Sequence, residues 1–272
     1  MCFPGIVFFK GNCILVPKKR QKMRYQVGLI LIFSVLMSSC KPSGDQALVI
    51  GHRGAMGYET ENTLASIEKA LELGVGMIEV DVFQIKSGEI AVFHDERVER
   101  LTNGAGRIEQ YNYFDMKRLL LDGGHRIPVL QDVLELVDHR VPVNIELKGK
   151  GTAGNVYKIA SFYSEKRGWH PDQFLISSFE WDELRKYREL DPKGRIAVLT
   201  EGDPLEALDV AAELKAEAIN PHYTQLNAEN VAKIHEAGYK VYTWTVNDPA
   251  EFQRLVSIGV DGVFSDFPDR MR

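Results

Sequence analysis

Cysteine is missing from everything beyond residue 40: the three in the chain are Cys2, Cys13 and Cys40. The body therefore holds no disulfide, no cysteine-based zinc site and no thiol nucleophile. Carboxylates are missing from the opposite end. Residues 1–39 carry six basic side chains and no acidic one, which leaves 27 basic against 38 acidic residues, a net of −11, for the remainder. An acidic body lacks the positive footprint that a nucleic-acid partner demands. The chain also has no Gly-x-Ser-x-Gly elbow and no phosphate-cradling loop of the NTPase kind, so serine hydrolysis and nucleoside-triphosphate chemistry lack their usual carriers. Long apolar runs are scarce. The most apolar stretch, Val27 to Met37, falls short of the roughly 20 residues that span a bilayer.

That stretch reads as an address. Met23-Arg24-Tyr25, the apolar run and Ser38-Ser39-Cys40 follow the order of a secretory signal, with a basic start, an apolar core and small residues before a cut. The cysteine after the small pair resembles a bacterial lipoprotein processing site, in which Cys40 becomes the lipidated first residue. Met37 stands where that pattern favours Leu. An uncleaved anchor and a plain signal peptide are the alternatives, and either Met1 or Met23 is the start. The expected organisation is an export segment at 1–40, a polar linker at 41–46 and one folded body at 47–272. The expected location is the bacterial cell envelope, as a membrane-anchored lipoprotein facing the periplasm or the exterior.

From Ala47 onward short apolar runs alternate with amphipathic segments. Strands are expected at Ala47–Gly51, Met77–Phe83, Ile90–Phe93, Val143–Leu147, Phe174–Ser177, Arg195–Thr200, Ala218–Asn220, Lys240–Thr245 and Gly262–Phe264. Between most of them, apolar residues recurring every three or four positions predict helices, among them Thr63–Leu73, capped by Asn62 or Thr63, and Pro204–Leu214. Leu-Gly-Val-Gly-Met, Ala-Gly-Tyr-Lys-Val and Ile-Gly-Val-Asp-Gly-Val repeat one phrase: helix end, glycine, buried strand. About eight such units in a chain of this length predict an α/β fold, a (β/α)8 TIM-type barrel. Asp95–Arg126 breaks the pattern and is expected as a short, loop-rich insertion with one short helix.

Functional groups of a parallel barrel gather at the C-terminal ends of its strands. Read in order, those ends carry His52-Arg53-Gly54, then Glu79 and Asp81, then His94-Asp95, then Glu146 and Lys148. Glu79 and Asp81 are two apart in a strand and share a face, as do Glu146 and Lys148. Charges leaving water must be paired or bind metal, and three hard oxygen ligands suit Ca2+ or Mg2+ rather than zinc. Three carboxylates less one divalent cation leave a negative charge, so an anionic phosphate also needs Arg53, with its planar fork, and Lys148. The competing reading pairs Arg53 with Glu79 or Glu61 as structure. His125, His139, His170 and His235 are expected to be structural. His222 follows a strand and stays outside the catalytic set.

These residues and their spacing resemble the glycerophosphodiester phosphodiesterase family over about residues 48–270. The matching pieces are His52-Arg53-Gly54 with Glu61-Asn62-Thr63, Glu79-Val80-Asp81-Val82, His94-Asp95, Ile127–Leu130, Glu146-Leu147-Lys148, Trp244-Thr245-Val246-Asn247, Gly259–Gly262 and Ser265–Asp269. Thr60 stands where the family often has proline. The resemblance implies catalytic histidines at His52 and His94, metal ligands at Glu79, Asp81 and Glu146, and phosphate holding by Arg53 and Lys148. It implies release of sn-glycerol 3-phosphate and an alcohol from a small-molecule glycerophosphodiester, by attack of water or of the substrate's own glycerol hydroxyl. Either histidine is the acid. Trp244 is a wall for the glycerol or a packed core aromatic. Ca2+ is favoured over Mg2+ because it is the more available hard cation outside the cytoplasm. Two alternatives stand: a phosphodiesterase of the same barrel acting on a lysophospholipid or a teichoic-acid-like polymer, and a non-catalytic surface lipoprotein.

Overall fold

The computed structural model describes residues 47–272. The expected export segment with Cys40, and the 41–46 linker, lie outside the described residues. Among the described residues no helix is long and apolar enough to cross a membrane.

The strands are β1 (Leu48–Gly51), β2 (Met77–Gln84), β3 (Ile90–Val92), β4 (Val143–Leu147), β5 (Phe174–Ser178), β6 (Arg195–Thr200), β7 (Ala218–Pro221), β8 (Lys240–Thr243) and β9 (Gly262–Ser265). All except β3 run parallel, and β1 pairs with both β9 and β2, which closes a barrel of eight. The helices are α1 (Leu64–Glu72), α2 (Tyr113–Met116), α3 (Leu130–Val137), α4 (Thr152–Lys166), α5 (Trp181–Leu190), α6 (Leu208–Leu214), α7 (Ala228–Glu236) and α8 (Pro249–Ser257). Closure leaves no open sheet edge in the ring. Strand alternation then sorts side chains into two cores. Ile78, Val80 and Val82 pack outward under the helices, while Ile50, Met77, Leu175, Ala197, Ala218, Tyr242 and Phe264 fill the barrel interior. The inward face of β2 therefore continues from Met77 to Glu79 and Asp81, which the period of two requires.

The expected (β/α)8 barrel is observed, with one correction of placement. Ile90–Phe93 was expected to be a barrel strand ending in His94. Instead β3 folds back antiparallel on β2, with Val82 opposite Val92 and Gln84 opposite Ile90. The hairpin rises past the end of β2 and returns, so His94 arrives from above the strand ends and not from a barrel strand. A second adjustment concerns Pro204–Leu214, which divides into a 3-10 turn at Pro204–Ala207 and α6. The three glycines of the repeated phrase, Gly74, Gly238 and Gly259, have φ of 73°, 92° and 95°, the left-handed geometry that ends a helix at little cost to glycine.

Glycines at 149, 151 and 154 stand at the spacing of a dinucleotide-binding turn between β4 and α4. The buried carboxylate of Glu183 already occupies that helix start, accepting from the Gly151 and Ala153 amides at 2.8 and 3.1 Å. An internal anion thus takes the place a phosphate would need.

The insertion at Asp95–Arg126 folds on a small core of its own. Val98, Ile108, Met116, Leu119 and Leu121 bury against Phe83, Ile85, Phe93 and Ile127 beside the β2–β3 hairpin. A satellite core of this kind is expected to open separately from the barrel. Met116→Ala is expected to cost roughly 2–5 kcal/mol locally. Amide hydrogen exchange should accelerate within residues 97–121 and stay slow in β4–β6; equal acceleration in both would show that the insertion and barrel unfold as one unit.

Candidate active site

Glu79, Asp81 and Glu146 meet at the top of the barrel because β2 and β4 are in register. Asp81 lies directly opposite Glu146, and one oxygen from each of the three falls within 4.8 Å of the others. Glu79 and Asp81 are 2% and 1% exposed. Burial, then Asp81 and Glu146, push the Glu79 carboxyl well above the carboxylate range. Burial and Asp81 likewise raise Glu146 to about 7, against the opposing pull of Lys148. One Glu79 oxygen, Oε1, is buried with no hydrogen-bond partner. A fully buried lone acceptor among three crowded carboxylates is what a hard cation would satisfy, and the all-oxygen donor set fits one.

The loop after β1 wraps this triad. Arg53 has φ of 50° and Gly54 of 84°. A Cβ on Gly54 would lie 2.5 Å from the Ser66 carbonyl carbon, so only glycine lets the loop press onto α1. This turn directs the Arg53 amide onto Glu79 Oε2 at 2.7 Å. The Arg53 side chain donates to Glu61 at 2.7 Å and places Nε 3.2 Å from Asp81. Both partners expected of Arg53 are thus present, Glu79 through the backbone and Glu61 through the guanidinium. Burial opposes the Arg53 charge, but Asp81, Glu61 and Glu79 outweigh it and push its pKa further up. Of the two capping candidates for α1, Thr63 accepts from the Ser66 amide at 3.2 Å. Asn62 is turned inward, with Nδ2 donating to Asp81 at 2.9 Å and Oδ1 accepting the Asp81 amide at 3.2 Å. Lys148 donates to Glu146 at 2.8 Å and lies 3.8 Å from Asp81.

His52 and His94 flank the triad, and each is held by a carboxylate. His52 Nδ1 is 2.6 Å from Asp266, whose other oxygen accepts from Asn247 at 2.7 Å. His94 Nδ1 is 2.6 Å from Asp95. An ionised carboxylate only accepts, which assigns the proton to Nδ1 in both rings and leaves Nε2 as the working nitrogen. Burial lowers the His94 pKa, with Asp81 opposing and Arg53 and Lys148 adding to the drop. Burial opposes ionisation of Asp95 too, but hydrogen bonds from Arg100 and His94 bring it down to about 2. Sequence reading gave Asp266, Asn247 and Arg100 no role. The first two sit in motifs it noticed, yet His52 and Asp266 are 214 residues apart, and no local pattern pairs them.

Glu79, Glu146 and both histidines open into a cavity of about 260 Å3, also lined by Arg53, Lys148, Ser177, Phe179, Leu199, Glu201, Trp244 and Phe264, with Asp81 buried behind them. A neighbouring cavity of about 340 Å3 shares His94, Glu146, Lys148 and Phe179 with it and extends to Phe83, Glu96 and Glu180. Trp244, expected as wall or core, is half-buried and lines the first cavity, its ring edge-on to Phe179 and its Nε1 donating to the Asn220 carbonyl at 2.9 Å. His222 packs against Trp244 with ring centres 4.9 Å apart. His125, His139, His170 and His235 line neither cavity.

The raised carboxyls have a consequence for stability. Without metal, the folded protein keeps protons on Glu79 and Glu146 that the unfolded chain releases near the ordinary 4.5, and Glu146 releases its own at about 7. Where the folded state binds more protons, stability falls as pH rises. The carboxyls held low, such as Asp95 at about 2, are already ionised in both states across this window, and the lowered His94, which works the opposite way as pH rises through its ordinary 6.5, is one group against the two raised carboxyls. In EDTA the melting temperature should therefore fall between pH 5 and 7.5, and saturating Ca2+ or Mg2+ should restore it at pH 7.5. A melting temperature unchanged by metal and rising over this range would contradict the site.

Comparison with known proteins agrees with this geometry. Residues 52–270 match the model of the glycerophosphoryl diester phosphodiesterase family. The chain is 34% identical over 251 residues to the glycerophosphodiester phosphodiesterase of Bacillus subtilis, covering 84% of this chain and 86% of that one. It is 32% identical over 239 residues to that of Caldanaerobacter subterraneus, covering 83% and 96%. A phosphodiesterase of Oleispira antarctica, solved with the product sn-glycerol 3-phosphate, superposes with a TM-score of 0.76 at 30% identity over 83% of this chain and 95% of that one. With a closed barrel, an acidic triad and a match across its whole described body, the chain belongs to the glycerophosphoryl diester phosphodiesterase family.

Proposed function

We propose that this enzyme hydrolyses glycerophosphodiesters to sn-glycerol 3-phosphate and an alcohol, with Glu79, Asp81 and Glu146 holding one divalent cation and with His52 and His94 as base and acid. The observation that carries this reading is the pair of histidines, each anchored through Nδ1 on its own carboxylate at 2.6 Å, on either side of the triad. The product complex of the Oleispira antarctica relative supports the identity of the product. Ca2+ is favoured over Mg2+ for an exported enzyme.

The bound cation supplies Lewis-acid neutralisation of charge on the phosphoryl oxygens. Arg53 and Lys148 hold the remaining oxygens, Arg53 as a fork and Lys148 as a point charge. The glycerol end rests against Trp244, Leu199 and Phe264 in the first cavity. The leaving alcohol points into the second, which His94 lines and His52 does not. This asymmetry supports His52 as the base and His94 as the acid. His52 Nε2 removes the proton from the attacking water or glycerol hydroxyl as the new P–O bond forms. His94 acts from the fraction of enzyme that carries a proton on Nε2 as well as Nδ1: that Nε2 proton passes to the departing oxygen as the old bond breaks, and the proton taken up by His52 afterwards returns to solvent.

The test is release of glycerol 3-phosphate from glycerophosphocholine with Ca2+, with Mg2+ and with EDTA, in parallel with nitrophenol release from the nitrophenyl ester of glycerol 3-phosphate. His94→Ala should lower kcat on the choline ester about 10²–10⁴-fold and on the nitrophenyl ester far less, because nitrophenolate leaves without a proton. His52→Ala should lower both alike. Equal losses in His94→Ala would reassign that residue, and full turnover in EDTA would remove the metal from the mechanism.

We further propose that the enzyme is exported and lipid-anchored at Cys40, facing the periplasm or the exterior; the support is the sequence order from Met23 to Cys40. Cells fed labelled palmitate should label the wild-type chain and not Cys40→Ser. Labelling of both would place the lipid elsewhere.

A further inference from the structure

We infer that Arg100, contributed by the insertion, is a positioning residue that couples the proton-delivering side of the site to the phosphate-holding side. The inference rests on the roles proposed for His94 and Arg53. Arg100 ends a 3-10 turn at Val98–Arg100, and Val98 is wholly buried in the insertion's own core. The turn is tied further by Val98 N donating to the Gly106 carbonyl at 3.0 Å and Thr102 Oγ1 to the Val98 carbonyl at 2.8 Å. From this anchored turn the guanidinium reaches two carboxylates at once. Nε and Nη2 donate to the two oxygens of Asp95, the latter at 3.1 Å, and Nη1 and Nη2 donate to the two oxygens of Glu61 at 2.8 Å each.

Each of those carboxylates has one further duty. Asp95 holds His94 Nδ1 at 2.6 Å, and Glu61 Oε1 accepts from Arg53 Nη1 at 2.7 Å. The result is one unbroken chain, His94–Asp95–Arg100–Glu61–Arg53, whose last member lies 3.2 Å from Asp81. Four N–H donors in one rigid plane fork the two carboxylates together, which arginine supplies and lysine, with three, cannot. Stability is a poor account of the arrangement. The Arg100 side chain is 47% exposed and its Asp95 partner 25%, and a pair so open to solvent contributes little to folding. Glu61, at 5%, is enclosed, so its direction depends on the two arginines that flank it. The insertion therefore does more than cover the barrel: its small core aims one side chain that fixes two others.

The experiment compares the full-length wild type with Arg100→Ala, Arg100→Lys, Asp95→Asn and the double variant Arg100→Ala/Asp95→Asn. Turnover of glycerophosphocholine is measured beside proton NMR of the His94 Nδ1–H, recorded without substrate. Arg100→Ala is expected to lower kcat about 10- to 100-fold and raise KM, with added methylguanidinium restoring part of kcat. The His94 proton should shift in the same variant. Asp95→Asn should lose activity to a similar degree, and the double variant should be little worse than Asp95→Asn alone, because both changes break one chain. Arg100→Lys should stay impaired, and it serves as the test if Arg100→Ala does not fold. Wild-type kcat, KM and His94 resonance in Arg100→Ala would overturn the proposal, as would losses that multiply in the double variant. A wild type that turns over no glycerophosphodiester would sink the proposed function alone, since the resonance still reports the positioning.

Discussion

Three carboxylates converge on the inner wall of one barrel, two of them almost without solvent, and most of the surrounding architecture answers that fact. Glu79, Asp81 and Glu146 repel one another, and burial denies them water to dilute the repulsion. Without a cation, Glu79 and Glu146 keep their protons to higher pH than free carboxyls do; the all-oxygen set is one that a divalent cation fits. Asn62 clamps Asp81 from both its donor and acceptor ends, the Arg53 amide fixes one oxygen of Glu79, and Lys148 braces Glu146. None of these partners quenches the triad fully, and one Glu79 oxygen stays without a hydrogen-bond partner. Stability withheld here is available to a cation, which is how a site acquires metal affinity within a fold that is otherwise apolar and closed.

The barrel alone supplies only part of the constellation. Its strands deliver the triad and Lys148 from β2 and β4, and the first loop delivers His52 and Arg53. His94 comes from elsewhere, carried by a hairpin that climbs above the strand ends and turns back. Closing the space above that hairpin requires the insertion, and the insertion in turn holds Arg100 between Asp95 and Glu61. What looks in the chain like an interruption of the β/α rhythm is the element that ties the two halves of the site together.

The two histidines are chemically alike and topologically different. His52 is held by Asp266 at the end of β9, so its orientation is secured by barrel closure itself. His94 is held by its own sequence neighbour and by the insertion. One is fastened across the closed barrel and the other beside a satellite core. The insertion is joined by hydrogen bonds through Arg100 to the partners of His94 and Arg53, whereas the His52 partner, Asp266, follows a barrel strand.

Much of this was legible in the chain. Alternating strands and amphipathic helices, with glycine after three of the helix ends, determined a parallel barrel, because those periodicities and turns have few other ways to bury their apolar faces. The clustering of these side chains was equally legible, since Glu79-x-Asp81 and Glu146-x-Lys148 must each share a face and carboxylates leaving water must be paired or bind metal. Three things were beyond it. The direction of β3 was hidden because a short apolar run is the same in a parallel and an antiparallel strand. Asn62 passed for a helix cap because capping residues and buried clamps share one chemistry, and only the positive φ at this position turns its amide inward. The partners of the histidines depended on closure, which brings Asp266 to His52 across 214 residues, and on the insertion's own small core, which aims Arg100. Local sequence determined which groups are present and which face they occupy; the closed barrel and the packing above it decided which of them touch.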